Sequence, residues 1–174
     1  MRDRNSLRLY THNYAGPGWY FVTIKTYNSE YLFGDVIDKK MELNEFGKIV
    51  HEEWAKTPKI RKNIELGEFI VMPNHLHGLI HIKYKIDNSR GVLQYAPTVG
   101  SNREFHSPSH TLGAIIRGFK SAATKRINIY KGTPGHPVWQ RNYNDRVIRG
   151  KKELINKKKY ILNNPLLWEN KQIM

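Results

Sequence analysis

His75-Leu76-His77 sets two imidazoles one residue apart, and the run from there through Ile82 is apolar and β-prone. Successive side chains of a strand point to opposite faces, so His75 and His77 share one face and Leu76 takes the other. Two adjacent imidazoles on a rigid sheet can hold a divalent metal, with the leucine anchored in the core. Met72-Pro73-Asn74 is a turn signal, so the pair stands where a strand leaves a connection. A bare His-x-His also describes ordinary surface or core-edge histidines. His81 continues the same face, either as a third polar group or as a half-exposed strand residue.

A second reactive candidate lies near the end of the chain, in Lys159-Tyr160-Ile161-Leu162-Asn163-Asn164-Pro165. A helix is expected from near Gly150 to just before Pro165, with Leu154, Ile155, Ile161 and Leu162 as its apolar side. At 100° per residue Tyr160 falls about 160° from the centre of that side. Asn164 is one turn on, and Glu153 and Lys157 share the sector. A tyrosine among polar residues is an exposed phenol or a reactive one. Phenol is a poor nucleophile near neutral pH, and a metal beside a phosphodiester would stabilise the charge that develops.

The elements that must position these groups follow from periodicity. Trp19–Tyr27 alternates, with Tyr20, Val22 and Ile24 on one face and Phe21, Thr23 and Lys25 on the other. A short extension or hairpin is expected over 32–37, with Phe33-Gly34-Asp35 as the turn. Asn44 caps a helix carrying Phe46, Ile49, Val50 and Trp54, which Thr57-Pro58 ends. Strands over 64–71 and 75–84 form a hairpin through Asn74. The Gly-, Ser-, Asn- and Pro-rich stretch 87–109 reads as a long loop. Thr111–Ile129 is an amphipathic helix with Leu112, Ile115, Ile116, Phe119, Ala122, Ala123 and Ile127 on its stripe. Val138–Tyr143 and Arg146–Arg149 supply a fourth strand, with a turn at Asn144-Asp145. Tyr143, the rival nucleophile, reads as structural or base-stacking, and Trp139 and Gln140 as sheet-packing residues.

This order predicts an α+β, ferredoxin-like βαββαβ fold. Four antiparallel strands carry two helices on one face, and the C-terminal helix lies near the other. One domain over 19–174 follows a basic N-terminal arm over 1–18.

The formal net charge is +14 over 174 residues, which favours a polyanionic partner, nucleic acid first. Arg117, Lys120, Arg141, Arg146, Arg149, Lys151 and Lys152 are the expected phosphate contacts. No apolar run approaches the ~20 residues of a membrane span, so no membrane partner is expected. No signal-peptide core is read at the start. Absence of cysteine leaves only N and O ligands for a metal and fits a cytoplasmic protein.

Four blocks then occur together and in order: Met72-Pro73-Asn74-His75-Leu76-His77-Gly78, Ile116-Arg117-Gly118-Phe119-Lys120-Ser121, Val138-Trp139-Gln140-Arg141-Asn142-Tyr143 and Tyr160-Ile161-Leu162-Asn163-Asn164-Pro165. From about Trp19 to Trp168 the chain resembles the REP-associated tyrosine transposases, in the single-tyrosine branch of the HUH endonuclease superfamily. The resemblance implies His75, His77 and Asn164 as ligands of Mg²⁺ or Mn²⁺ and Tyr160 as nucleophile. It implies cleavage and rejoining of single-stranded or hairpin DNA through a 5′-phosphotyrosine. Insertion-sequence relatives carry glutamine in place of Asn164 and work as dimers. REP-associated members can act as monomers, so homodimer and monomer both stay open. A non-catalytic nucleic-acid-binding domain and a replication-type nickase are the alternatives.

Overall fold

The computed structural model describes residues 16–84 and 111–172. Most of the expected arm, and all of the expected 87–109 loop, lie outside these residues. Six strands are present among the described residues: β1 (Gly18–Lys25), β2 (Gly34–Ile37), β3 (Lys40–Leu43), β4 (Ile64–Met72), β5 (His75–Ile82) and β6 (Asn144–Ile148). The helices are α1 (Glu45–Ala55), α2 (Thr57–Ile60), α3 (Leu112–Lys131), α4 (Lys151–Leu162) and α5 (Asn164–Gln172).

The main sheet has the order β4-β5-β1-β6, and every neighbouring pair is antiparallel. This is the expected split βαββαβ arrangement with β2 and β3 added as a hairpin. Tyr20, Val22, Ile24, Leu76 and Ile80 point to one face. There they pack with Ile49, Val50 and Trp54 of α1 and Ile115, Ile116, Phe119, Ala123 and Ile127 of α3. The opposite face holds a smaller cluster of Phe21, Leu79, Ile148 and Ile161, covered by α4. Arg126 of α3 joins the two outer helices, pairing with Glu53 at 2.7 Å and Glu52 at 2.8 Å.

Local signals account for most boundaries. The Asn44 side chain accepts from the Gly47 backbone N–H at 3.0 Å, as an N-cap should. Thr111 caps α3 in the same way, accepting from Ala114, and Gly132 closes that helix at φ 66°.

Four expectations need correction. The hairpin turn is Asp38-Lys39, with φ 48° and 63°, and not Phe33-Gly34-Asp35. Two consecutive residues at positive φ match the twist of a two-residue hairpin. Pro58 does not end the helical path but opens the extra turn α2, where its missing N–H needs no partner. Asn144-Asp145 begins β6 instead of forming a turn, and Trp139 makes only an isolated bridge to Thr26. The helix expected to stop before Pro165 does so, α4 ending at Leu162, but it is not the last: α5 follows from Asn164 after a break at Asn163 (φ −89°, ψ 4°).

Lys120 also takes a role other than the expected phosphate contact. Its ammonium turns inward and donates to the carbonyls of Gln140 (2.6 Å) and Asn142 (3.0 Å), tying the segment before β6 to α3. Burial pushes its pKa down to about 8. Replacing Lys120 with Met should cost about 1 kcal/mol, because those carbonyls lose a donor. Chemical denaturation would register it as a lower midpoint at unchanged slope.

Gly78 fixes how closely α1 approaches β5. A Cβ placed there would lie 2.6 Å from Cζ2 of Trp54, an indole with no exposure. Overpacking of this kind predicts that Gly78→Ala destabilises the fold by about 1–3 kcal/mol. A lower thermal midpoint in circular dichroism would check it.

Candidate active site

The histidines are positioned by register. β5 pairs with β1 so that His77 stands opposite Thr23, and His75 opposite Lys25. Paired residues of an antiparallel ladder project to the same face. Both imidazoles therefore emerge on the α4 side, and Leu76 is fully buried in the other core, as the alternation predicted. The preceding turn is held by its carbonyls. Pro73 O accepts from Leu32 N at 2.8 Å and Phe33 N at 3.0 Å, and Asn74 O accepts from Thr26 N at 2.9 Å.

The two rings are 4.4 Å apart at their centroids and inclined at 71°. Each is oriented through Nδ1. His77 Nδ1 is 2.8 Å from Thr23 Oγ1, and His75 Nδ1 is 2.7 Å from Asn74 Oδ1. An oxygen holding Nδ1 aims Nε2 outward, which is the way metal-binding imidazoles are generally oriented. His81 is remote from this arrangement. It stacks on Trp19 at 4.7 Å, near the other end of β5.

Tyr160 meets the pair within one chain. Its hydroxyl is 3.5 Å from His77 Nε2, a proximity more than a strong hydrogen bond. Its ring packs edge-on against Phe21 and His77, at 6.0 and 5.3 Å. The expected apolar side of this helix is wrong. Ile155 is 41% exposed and Leu162 66% exposed, whereas Leu154, Tyr160 and Ile161 face the sheet. The reason lies in the surface that α4 covers. Phe21, Leu79 and Ile148 share it with Thr23, His75 and His77, so four inward aliphatics would leave polar groups facing hydrocarbon.

Asn164 is buried at 6% exposure as the first residue of α5. It lines one cavity of about 330 Å³ together with His75, His77, Tyr160, Thr23, Lys25, Asn74, Leu167 and Trp168. Five of these, Thr23, Lys25, Asn74, Leu167 and Trp168, were not foreseen as site residues. Thr23 and Lys25 become visible only once β1 is registered on β5. Trp168 arrives because the chain turns at Asn163, and its ring lies 5.6 Å from His75 and 5.5 Å from Tyr31. Lys157, one turn before Tyr160, has its ammonium 5.3 Å from the Tyr160 ring centroid.

Two imidazole nitrogens and one amide oxygen make a neutral donor set, and the cavity lining contains no carboxylate. No cluster of three His, Cys, Asp or Glu side chains suited to a metal occurs among the described residues. Imidazole suits Mn²⁺ better than Mg²⁺.

The predicted phosphate contacts do not converge on the cavity. Arg149, Lys151 and Lys152 are exposed beyond the end of β6 that pairs with Trp19. That end is about 20 Å from Lys25 along β1, at about 3.3 Å per residue. Arg146 is ion-paired with Glu153 at 2.5 Å, and the Arg149 backbone N–H donates to the same carboxylate at 3.0 Å. That backbone bond and the Arg146 guanidinium hold Glu153 below its usual pKa. Arg141 is exposed before β6. Arg117 is exposed on α3, in the helix layer across the sheet from the histidines. Tyr143 packs against the main core, and Trp139 is buried there against Phe33 and Phe119.

No helix among the described residues is long and apolar enough to cross a membrane. No protein-family model matches the chain. The chain is similar to a solved REP-associated tyrosine transposase bound to a REP hairpin, at 16% identity and a TM-score of 0.58, covering 91% of this chain and 73% of that one. A proposed transposase from Deinococcus radiodurans matches at 14% identity and a TM-score of 0.44, covering 90% of this chain and 95% of that one. In sequence it is 38% identical over 174 residues to an uncharacterized protein of Haemophilus influenzae, covering 99% of this chain and 94% of the relative. The chain thus belongs to one family with that Haemophilus influenzae protein, built on the fold of a REP-associated tyrosine transposase.

Proposed function

We propose that the protein is a tyrosine transposase, a metal-dependent endonuclease and strand transferase acting on single-stranded DNA at hairpin-forming repeats. The observation that carries this reading is the meeting of the Tyr160 hydroxyl with His77 Nε2, 3.5 Å apart, in a cavity that His75 and Asn164 also line. The REP hairpin bound by the neighbour of like fold and the net charge of +14 support DNA as the substrate.

His75 and His77 would hold the metal through Nε2, with Asn164 offering an amide oxygen. The metal when bound would polarise the scissile phosphate and stabilise its developing charge. Thr23 and Asn74 keep the imidazoles in one orientation through Nδ1. Tyr160 is set by Phe21 and His77 on the side of the cavity from which it can approach phosphorus. Its phenolic oxygen forms the new O–P bond as the bond to the 3′ oxygen breaks. The phenol gives its proton to water and the departing 3′ oxygen takes one up, leaving a 5′-phosphotyrosine and a free 3′-OH. One phosphodiester replaces another, so attack by a second 3′-OH reverses the step without a high-energy cofactor. All of these groups come from one chain, so a monomer suffices for cleavage.

Tyr160→Phe should change stability by less than about 0.5 kcal/mol, because the lost contact is a weak one. The same variant should form no covalent adduct with labelled single-stranded hairpins taken from the flanks of its own coding region. Denaturing gels in Mn²⁺ read this directly, and an adduct of wild-type yield in the variant would sink the assignment to Tyr160. Thr23→Val should weaken metal binding about 10–100-fold, the usual penalty for losing the group that orients an imidazole. A Mn²⁺ titration of adduct yield would show the displaced midpoint.

A further inference from the structure

The donor set of this site is neutral, and one of its walls is cationic. Lys25 stands opposite His75 in the β1–β5 ladder and lines the same cavity. Its Cβ is therefore about 5 Å from that of His75, on the same face. No acidic side chain pairs with Lys25 among the described residues, and none lines the cavity. Lys25 is exposed and carries the same sign of charge as a divalent ion, and no carboxylate among the described residues lines the cavity to offset it. A phosphodiester reverses that relation. Its anionic oxygens attract the ammonium and a divalent ion together, and they supply the oxygen charge that the protein ligands lack.

We propose that Lys25 makes cation binding at His75 and His77 conditional on a phosphodiester. Lys25 binds a non-bridging phosphate oxygen, opposes the divalent ion when the phosphate is absent, and so couples the two ligands. This rests on the metal assignment proposed above. It predicts a site that loads its metal together with its substrate.

The test uses the full chain carrying Tyr160→Phe, which stops covalent chemistry. Mn²⁺ binding is followed by the electron paramagnetic resonance signal of the free ion. The titration is run with and without thymidine 5′-(4-nitrophenyl phosphate), a small phosphodiester that requires no DNA sequence. The diester should tighten Mn²⁺ binding at least about fivefold, within the usual range of about 5–150-fold for coupled sites. By reciprocity Mn²⁺ should tighten diester binding by the same factor. Adding Lys25→Met should strengthen Mn²⁺ binding in the absence of diester and reduce the enhancement below about twofold. Lys25→Arg should retain the coupling, since it keeps the charge. Circular dichroism confirms that each variant is folded.

Mn²⁺ affinity indifferent to the diester in the parent protein overturns the proposal, as does full enhancement in the Lys25→Met variant. If Mn²⁺ still binds and His75→Ala abolishes that binding, the metal site survives and only the role of Lys25 falls. If Mn²⁺ binding is absent under every condition, or is unchanged by His75→Ala and His77→Ala, the metal reading falls and takes this inference with it.

Discussion

The register of β1 against β5 is the constraint on which the site depends. It places Thr23 beside His77 and Lys25 beside His75. A slip of one residue would drive both imidazoles into the larger core and bring Leu76 out. Several contacts oppose that slip. Leu76, Ile80 and Ile82 have no exposure, and Gly78 lies against the Trp54 indole with no room for a side chain. The turn before β5 is pinned from the other side by Thr26, whose hydroxyl donates to Glu30 O at 2.8 Å and Asn74 O at 3.0 Å. Core packing thus sets the direction of two polar side chains that contribute little to that core.

A second constraint acts at the end of the chain. Asn163 leaves helical geometry and a new helix, α5, starts at Asn164. A continuous helix would place residue 164 by rotation about one axis. With the break, the Asn164 side chain becomes buried in the wall that also holds Tyr160. Two helices joined by one non-helical residue thereby deliver a phenol, an amide and, through Trp168, an aromatic wall. Lys158 ties α4 back to β4 through Glu68 at 3.0 Å, which limits how far the phenol can drift from the imidazoles.

Charge is distributed unevenly around this arrangement. The cavity holds Lys25 and no carboxylate, whereas Arg126 and Arg146 are committed to glutamates. Lys120 is spent on backbone carbonyls. Of the exposed cations, Arg149, Lys151 and Lys152 sit beyond the end of β6 that pairs with Trp19, away from the cavity.

Short-period patterns were legible in the sequence. Alternation in 19–25 and 75–82 assigned the side chains to their faces, and the 3.6-residue stripe of α3 named six of its buried residues while missing Ala114 and Asn128 and including the half-buried Ala122. The α+β class and the strand and helix order followed, because local propensity and burial agree in those segments. Tyr160, with Asn164 one turn on, was singled out by a helical projection whose apolar side proved displaced, and the roles expected of both came from the resemblance. That error is physical. The helix packs on a face mixing Phe21 and Leu79 with Thr23 and the histidines, and hydrophobicity alone cannot foresee a polar partner on another element. Pro58 was read as a stop for a similar reason, because a proline can end one helix or open the next. Lys25, Thr23, Trp168 and the inward turn of Lys120 were decided by tertiary structure alone. Each depends on a neighbour from a distant part of the chain, and such distances are fixed only when strands register and helices dock.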